Sequence, residues 1–324
     1  MKAILKLYRG YCNGQELVVM GHLLGGQRRD EYDFQKKDFR NARAIIRLFM
    51  VRTLANIPVC LTYNGREIYT KTLEDGYFKF CIPLKDRPPF GWNSFLITTT
   101  YQRETIQEEG TFLNPHSGKW GIISDIDDTF MVSHSNSFWK KLYVLLFRNL
   151  ESRKLFEDVV PHYTALSRAG RMHEEEANAF FYVSSSEWNL YRFITLFTEL
   201  HALPKAVLLL KDIKSGLGDF LGTGRGDHNH KFVKIQHILE FYPDLNFVLL
   251  GDDSQQDPVL YQNLCKIFPV TIKAVYIRQT GKEKKAKTIS LLENIKTLNV
   301  ETCYFRNSSE AIAHSRAVGI TEGI

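Results

Sequence analysis

Two patterns of apolar and polar positions divide the chain. Up to residue 115, short β-branched or aromatic runs at 17–24 (LVVMGHLL), 58–63 (PVCLTY), 67–72 (EIYTKT), 77–84 (YFKFCIPL) and 94–102 (SFLITTTYQ) alternate with Asn64-Gly65, Asp75-Gly76 and Pro88-Pro89. Such runs between turn signals predict a small all-β, sandwich-like accessory domain over 1–115. One stretch breaks the rhythm: 38–54 sets Ala44, Ile45, Leu48 and Phe49 at helical spacing, with Arg43, Arg47 and Arg52 on other faces. It reads as an amphipathic helix. Beyond the polar connector 114–118 (NPHSG), the runs 120–124 (WGIIS), 179–183 (AFFYV), 206–210 (AVLLL), 247–250 (FVLL) and 272–277 (IKAVYI) are almost continuously apolar. Strands covered on both faces look like this, and helical stretches lie between them. Residues 116–324 are therefore expected to form an α/β domain, a parallel sheet with crossover helices.

Composition narrows the class. The 324 residues are 44% hydrophobic and 24% charged, enough for two cores. The net charge of +6 is small and dispersed, so no nucleic-acid partner is expected. Residues 1–115 hold 17 basic and 12 acidic side chains (+5), which leaves 25 against 24 for the remainder. The surplus belongs to the first domain, either as dispersed solvated charge or as a peripheral contact with anionic lipid. Five widely spaced cysteines suggest neither a disulfide framework nor a CxxC metal site. No run has a signal-peptide core or a membrane-spanning length, and the reading is a cytoplasmic protein.

Chemistry concentrates at strand ends. Asp125-Ile126-Asp127-Asp128-Thr129 follows the run WGIIS directly. Three carboxylates within four residues raise one another's pKa unless a cation joins them, and hard oxygen donors suit Mg²⁺. The run AFFYV delivers Ser184, whose hydroxyl and N–H suit a phosphoryl oxygen. Lys231 opens the amphipathic segment KFVKIQHILEF, where a fixed cation could neutralise a phosphoryl group and a carboxylate. The run FVLL then leads into Gly251-Asp252-Asp253-Ser254-Gln255-Gln256-Asp257, a second acidic cluster. In open α/β sheets sites lie beyond the carboxyl ends of the strands, where each of these groups is expected.

The ordered set DxDxT, Ser, Lys, GDxxxxD resembles the haloacid dehalogenase superfamily of phosphotransferases across residues 118–324. With 180–191 (FFYVSSSEWNLY), 230–235 (HKFVKI), 241–258 (FYPDLNFVLLGDDSQQDP) and 275–278 (VYIR), it is similar to the phosphatidate phosphatases related to the yeast actin-patch protein, cousins of the lipins. The stretches 17–25, 74–80 and 91–95 resemble that family's accessory domain. Glu187 replaces a usual proline and Asp253-Ser254 a usual Ser-Gly, departures that bear on substrate detail. The resemblance implies a haloacid-dehalogenase-type fold and a Mg²⁺-dependent phosphatidate phosphatase. Asp125 would be the nucleophile and Asp127 the general acid and base. Mg²⁺ would be held by Asp125, the Asp127 carbonyl and Asp252, with Asp253 or Asp257 in support. Ser184 and Lys231 would hold the phosphoryl oxygens. Thr129, which orients the loop, would complete the substrate-binding set with Ser185 and Arg225, and Asp128 is structural. Asp257 keeps two readings, a partner for Lys231 or the metal waters, and the helix N-cap ahead of Pro258. The substrate would be phosphatidic acid, with another phosphomonoester as the alternative, or a module that senses phosphatidic acid without turnover. A sensor has no use for Asp127, which this chain retains.

Three further stretches keep two readings each. Residues 138–147 (FWKKLYVLLF) form a helix packed on the sheet or an apolar entrance for acyl chains. Residues 214–230, with five glycines, are a flexible connector or a loop that brings Arg225 to the phosphate, with His228 and His230 in surface or loop-packing roles. The run 282–287 (KEKKAK) is a solvated loop.

Overall fold

The computed structural model describes residues 2–26, 52–115, 120–126, 150–171, 177–211, 228–253 and 256–321. Its described residues divide into two units, one of Met1–Asn114 with Trp188–Tyr191, the other of Pro115–Glu187, Arg192–Lys211 and Leu217–Ile324.

The first unit is all β. Its strands are β1 (Ala3–Leu7), β2 (Gly10–Cys12), β3 (Glu16–Gly25), β4 (Arg52–Thr53), β5 (Pro58–Tyr63), β6 (Arg66–Lys71), β7 (Tyr77–Pro83), β8 (Gly91–Tyr101) and β9 (Glu104–Asn114). They are bonded in the order β1-β3-β2-β9-β8-β5-β6, with β4 and β7 on β3. The sheet is mixed, since β2 and β9 run parallel while the other pairs are antiparallel. Period-two alternation supplies the core: Leu17, Val19 and Leu23 of β3, Phe78, Phe80 and Ile82 of β7, Val59 and Leu61 of β5, Phe95 and Ile97 of β8, and Phe112 of β9 meet in one cluster. The sandwich-like domain is thus one continuously bonded sheet around a single core. Of the helix expected over 38–54, residues 38–51 lie outside the described residues. Its end is not helical: Thr53 pairs with Leu24 in β4, and Leu54 is buried among the strand residues.

A polar cluster sits inside this unit. The buried His22 imidazole stacks on the Trp188 indole, with centroids 3.9 Å apart and planes 14° apart, and its Nδ1 lies 2.7 Å from the Tyr8 hydroxyl. Lys6 Nζ donates to the Asn189 carbonyl (3.3 Å), and the Arg9 backbone N–H donates to the Tyr191 hydroxyl (2.7 Å).

In the second unit, β10 (Trp120–Asp125), α1 (Leu150–Ser167), β11 (Ala179–Glu187), a 3₁₀ turn whose residues belong to the first unit, α2 (Tyr191–Leu200), β12 (Val207–Lys211), α3 (His228–Phe241), β13 (Asn246–Asp252), α4 (Asp257–Ile267), β14 (Ile272–Arg278), α5 (Ala286–Lys296), β15 (Glu301–Phe305) and α6 (Ser308–Ala317) follow one another. All sheet pairings here are parallel, in the order β12-β11-β10-β13-β14-β15. The chain therefore builds outward from β10 in one direction and from β13 in the other. The order reverses between β10 and β13, the position at which open α/β sheets place their ligands beyond the carboxyl ends of the strands. The central strands are apolar on both faces: Ile122, Ile123, Phe180, Phe181, Phe247, Val248 and Leu249 are all fully buried. Among the described residues no helix is long and apolar enough to cross a membrane, and the five cysteines are unpaired.

Burial, with a smaller contribution from the Lys6 charge, pushes the His22 imidazole down to about 3. The native state then binds fewer protons than the unfolded chain between that value and about 6.5. Stability present above pH 6.5 is lost as the pH falls, by up to about 4 kcal/mol from this one group. In urea titrations followed by tryptophan fluorescence, His22→Phe should flatten the pH dependence between 6.5 and 3. Identical slopes would show that His22 titrates alike in the native and unfolded states.

Candidate active site

The strand order brings the acidic strand ends together. Asp125 is the last residue of β10 and lies in register with Val183 of β11, whose carbonyl accepts the Ile126 N–H at 3.2 Å. On the other flank Ser124 pairs with Leu250, which places Asp252 at the end of the adjacent strand β13. Two tyrosines brace this edge from below. Tyr163 lies 2.6 Å from Ser124 Oγ, and Tyr261 donates to the Leu250 carbonyl (2.8 Å).

Lys231 stands in the first turn of α3 and is buried, with its ammonium 2.7 Å from Asp125 Oδ2 and 3.6 Å from Asp257 Oδ1. Asp257, the first residue of α4, directs its other oxygen to the Asp252 N–H at 3.4 Å. Gly251 makes that approach possible: a Cβ there would fall 2.5 Å from Asp257 Oδ2. Of the two roles open to Asp257, the structure shows the contact with Lys231, and Gln256 occupies the N-cap. Asp125, Asp252, Asp257 and Lys231 thus form one buried group of three carboxylates and one ammonium. Burial first, then the charges of Asp125 and Asp252, hold the Asp257 carboxyl well above the usual carboxylate range, with Lys231 opposing them.

Ser184 follows Val183 in β11 and is buried, one position beyond the partner of Asp125. Asp127, Asp128, Thr129 and Arg225 lie outside the described residues, as do residues 138–147, the glycine-rich stretch up to residue 227 and the Ser185 side chain.

Asp253 faces different partners. Its Oδ1 accepts from the Thr280 N–H (3.0 Å) and hydroxyl (2.5 Å), and its Oδ2 accepts from the Tyr304 hydroxyl (2.5 Å). Lys285 donates to its carbonyl and places its ammonium 3.5 Å from Oδ1. Burial pushes the Asp253 carboxyl up, but the Thr280 and Tyr304 hydrogen bonds and the Lys285 charge outweigh it and leave its pKa lowered. Correspondingly, burial and the bond to Asp253 push Tyr304 up to about 12. Neither Thr280 nor Tyr304 carries a chemical signature in the sequence, whereas Lys285 belongs to the lysine run already noted.

The donor set suits a hard divalent cation in kind, since it consists of carboxylate oxygens in excess of positive charge. Asp125 and Asp252, on neighbouring strand ends, are the described side chains that fit it. No cluster of three or more His, Cys, Asp or Glu side chains among the described residues is arranged as a complete metal site.

Removing the ammonium should expose the cost of the carboxylates. Lys231→Met should lower stability by about 3–5 kcal/mol in urea at pH 7 with a chelator present. The deficit should shrink at lower pH as the carboxylates take up protons. An unchanged midpoint would contradict the pairing. For Asp253→Asn, the lowered pKa means that the wild-type advantage is full above about pH 4. It should fade as the pH falls through the native value. Stability curves that run parallel across this range would show that the carboxylate charge is not used.

Residues 120–279 match the family described as phosphatidate phosphatase APP1, catalytic domain. Phosphatidate phosphatase APP1 of Saccharomyces cerevisiae is 28% identical over 159 residues, which are 49% of this chain and 25% of that protein. The match therefore spans a quarter of the length of that relative. Among solved structures, a carbohydrate acetylesterase from Xanthomonas citri overlays with a TM-score of 0.35 at 9% identity, covering 98% of this chain and 75% of that one. A β-glucuronidase from Parabacteroides merdae gives 0.28 at 10% identity, covering 93% and 39%. Overlays at these scores say nothing about fold or activity. Through residues 120–279 the chain is related to the phosphatidate phosphatase APP1 family.

Proposed function

We propose that the second unit is a Mg²⁺-dependent phosphatase of haloacid-dehalogenase type that hydrolyses phosphatidic acid to diacylglycerol and phosphate. The observation that carries this reading is the Asp125 carboxylate at the end of β10, bonded at 2.7 Å by buried Lys231 and flanked by Asp252 on the next strand. A carboxylate held at the switch point of a parallel sheet supports a nucleophilic role, and the kinship with APP1 supports the lipid as substrate.

In the proposed reaction an Asp125 oxygen attacks phosphorus while the bond to the glycerol oxygen breaks. Asp127 gives its proton to the departing alkoxide. Asp127 then takes a proton from water, whose oxygen attacks the aspartyl-phosphate and releases phosphate with Asp125 regenerated. Lys231, bonded to one Asp125 oxygen, orients the carboxylate and offers positive charge to the phosphoryl oxygens. Ser184 adds a hydrogen-bond donor on the opposite flank. A Mg²⁺ ion held by Asp125, Asp252 and the Asp127 carbonyl would reduce the repulsion between the attacking carboxylate and the phosphate. Asp257 serves as a partner for Lys231 and the Asp252 backbone.

The test is phosphate release from phosphatidic acid vesicles beside a panel of soluble phosphomonoesters, with and without Mg²⁺. Mg²⁺-dependent release from the lipid is expected, and Asp125→Asn should reduce it to background. Persistent turnover in that variant would falsify the nucleophile. Release from soluble esters alone favours the second substrate class, and binding of phosphatidic acid without any release favours a sensor.

A further inference from the structure

The lysine run 282–287 is not an unattached loop. It follows β14, which lies beside β13, which lies beside β10. The strands are parallel, so the segment after β14 leaves from the same edge as Asp252 and Asp125. At the usual strand spacing it starts about 10 Å from the end of β10. Asp253 fastens it there through Thr280 at its start, Lys285 within it and Tyr304 of β15 beneath it. Tyr304 also accepts the Lys285 N–H at 3.0 Å, and the Lys284 ammonium lies 5.3 Å from the Tyr304 ring centroid. Residues 281–287 are nevertheless all exposed. They carry Lys282, Lys284, Lys285 and Lys287 against one acid, Glu283. Fixing a strongly positive, exposed segment at the sheet edge that carries Asp125 and Asp252 gives that edge a surface complementary to negative charge.

We propose that residues 281–287 are a docking surface for an anionic lipid bilayer, held at the catalytic edge by Asp253. This rests on the phosphatidate reading, in which the substrate headgroup lies in such a surface. Clustered lysines next to a membrane gain from its negative potential, and their contribution weakens with salt. Asp253 is then a positioning residue for the segment.

The test uses the full chain and sedimentation with vesicles of phosphatidylcholine alone, or with about 20% phosphatidylserine or phosphatidic acid. Lys282→Gln/Lys284→Gln/Lys287→Gln should bind both kinds of anionic vesicle at least tenfold more weakly, with a shallower dependence on salt. The control is Lys266→Gln/Lys296→Gln/Arg316→Gln. It removes the same charge from the last turns of α4, α5 and α6, which return to the opposite edge of the sheet. It should bind within twofold of the parent. Turnover of a soluble phosphomonoester should also stay within twofold in both variants. Equal anionic binding by the loop variant and the parent overturns the proposal, as does an equal loss in the control. A parent that prefers no anionic vesicle overturns it too. Loss for phosphatidic acid but not phosphatidylserine would also overturn it, because that marks recognition of one headgroup. Absence of phosphate release from every substrate would instead overturn the phosphatase reading, and sedimentation is scored independently of turnover.

Discussion

Three carboxylates and one ammonium buried between two parallel strand ends set the main constraint on the second unit. Carboxylates at such range are tolerated only if charge is supplied or a proton is favoured: Lys231 reaches Asp125, and burial with the neighbouring carboxylates pushes the Asp257 carboxyl pKa upward. Close strand ends require the reversal of strand order at β10 and β13, which in turn requires strands that are apolar on both faces. Gly251 is part of the same requirement, since any side chain there would displace Asp257.

Much of this was legible in the sequence, for physical reasons. Strands covered on both faces are continuous apolar runs, so β10 through β14 stood out. Residues 58–63 match β5 because Pro58 and the Asn64-Gly65 turn bracket it. The strands that escaped notice are short or polar. β9 reads ETIQEEGTFLN, with alternating exposed residues in its first half, and β15 reads ETCYF at the rim of the sheet. β1 and β2 are five and three residues long and separated by only Tyr8 and Arg9. The acidic strand ends and Lys231 were legible because their residue types are costly to bury without a purpose.

Partner choice was less visible. Asp252 and Asp253 are adjacent and chemically identical, yet the alternation of a strand end sends them to different neighbours. The first faces Asp257. The second binds Thr280 and Tyr304, residues whose hydroxyls look ordinary until the β14 and β15 strand ends are seen side by side. A lysine run that composition reads as solvated therefore has Lys285 bonded to Asp253 and Lys284 set beside the Tyr304 ring, with the run still exposed.

The stack of His22 on Trp188 has a consequence for how this protein can be divided. Sequence grammar suggests a clean cut near residue 115, but among the described residues the first unit is woven from two separated stretches of chain, and Trp188–Tyr191 supplies part of its interior. A fragment beginning at residue 115 would leave an indole and a phenol without their aromatic neighbours, four and seven residues after Ser184. The reciprocal fragment would leave His22 without the ring that covers it. Gene fusion or exchange at the visible boundary would thus separate residues that pack as neighbours within the first unit.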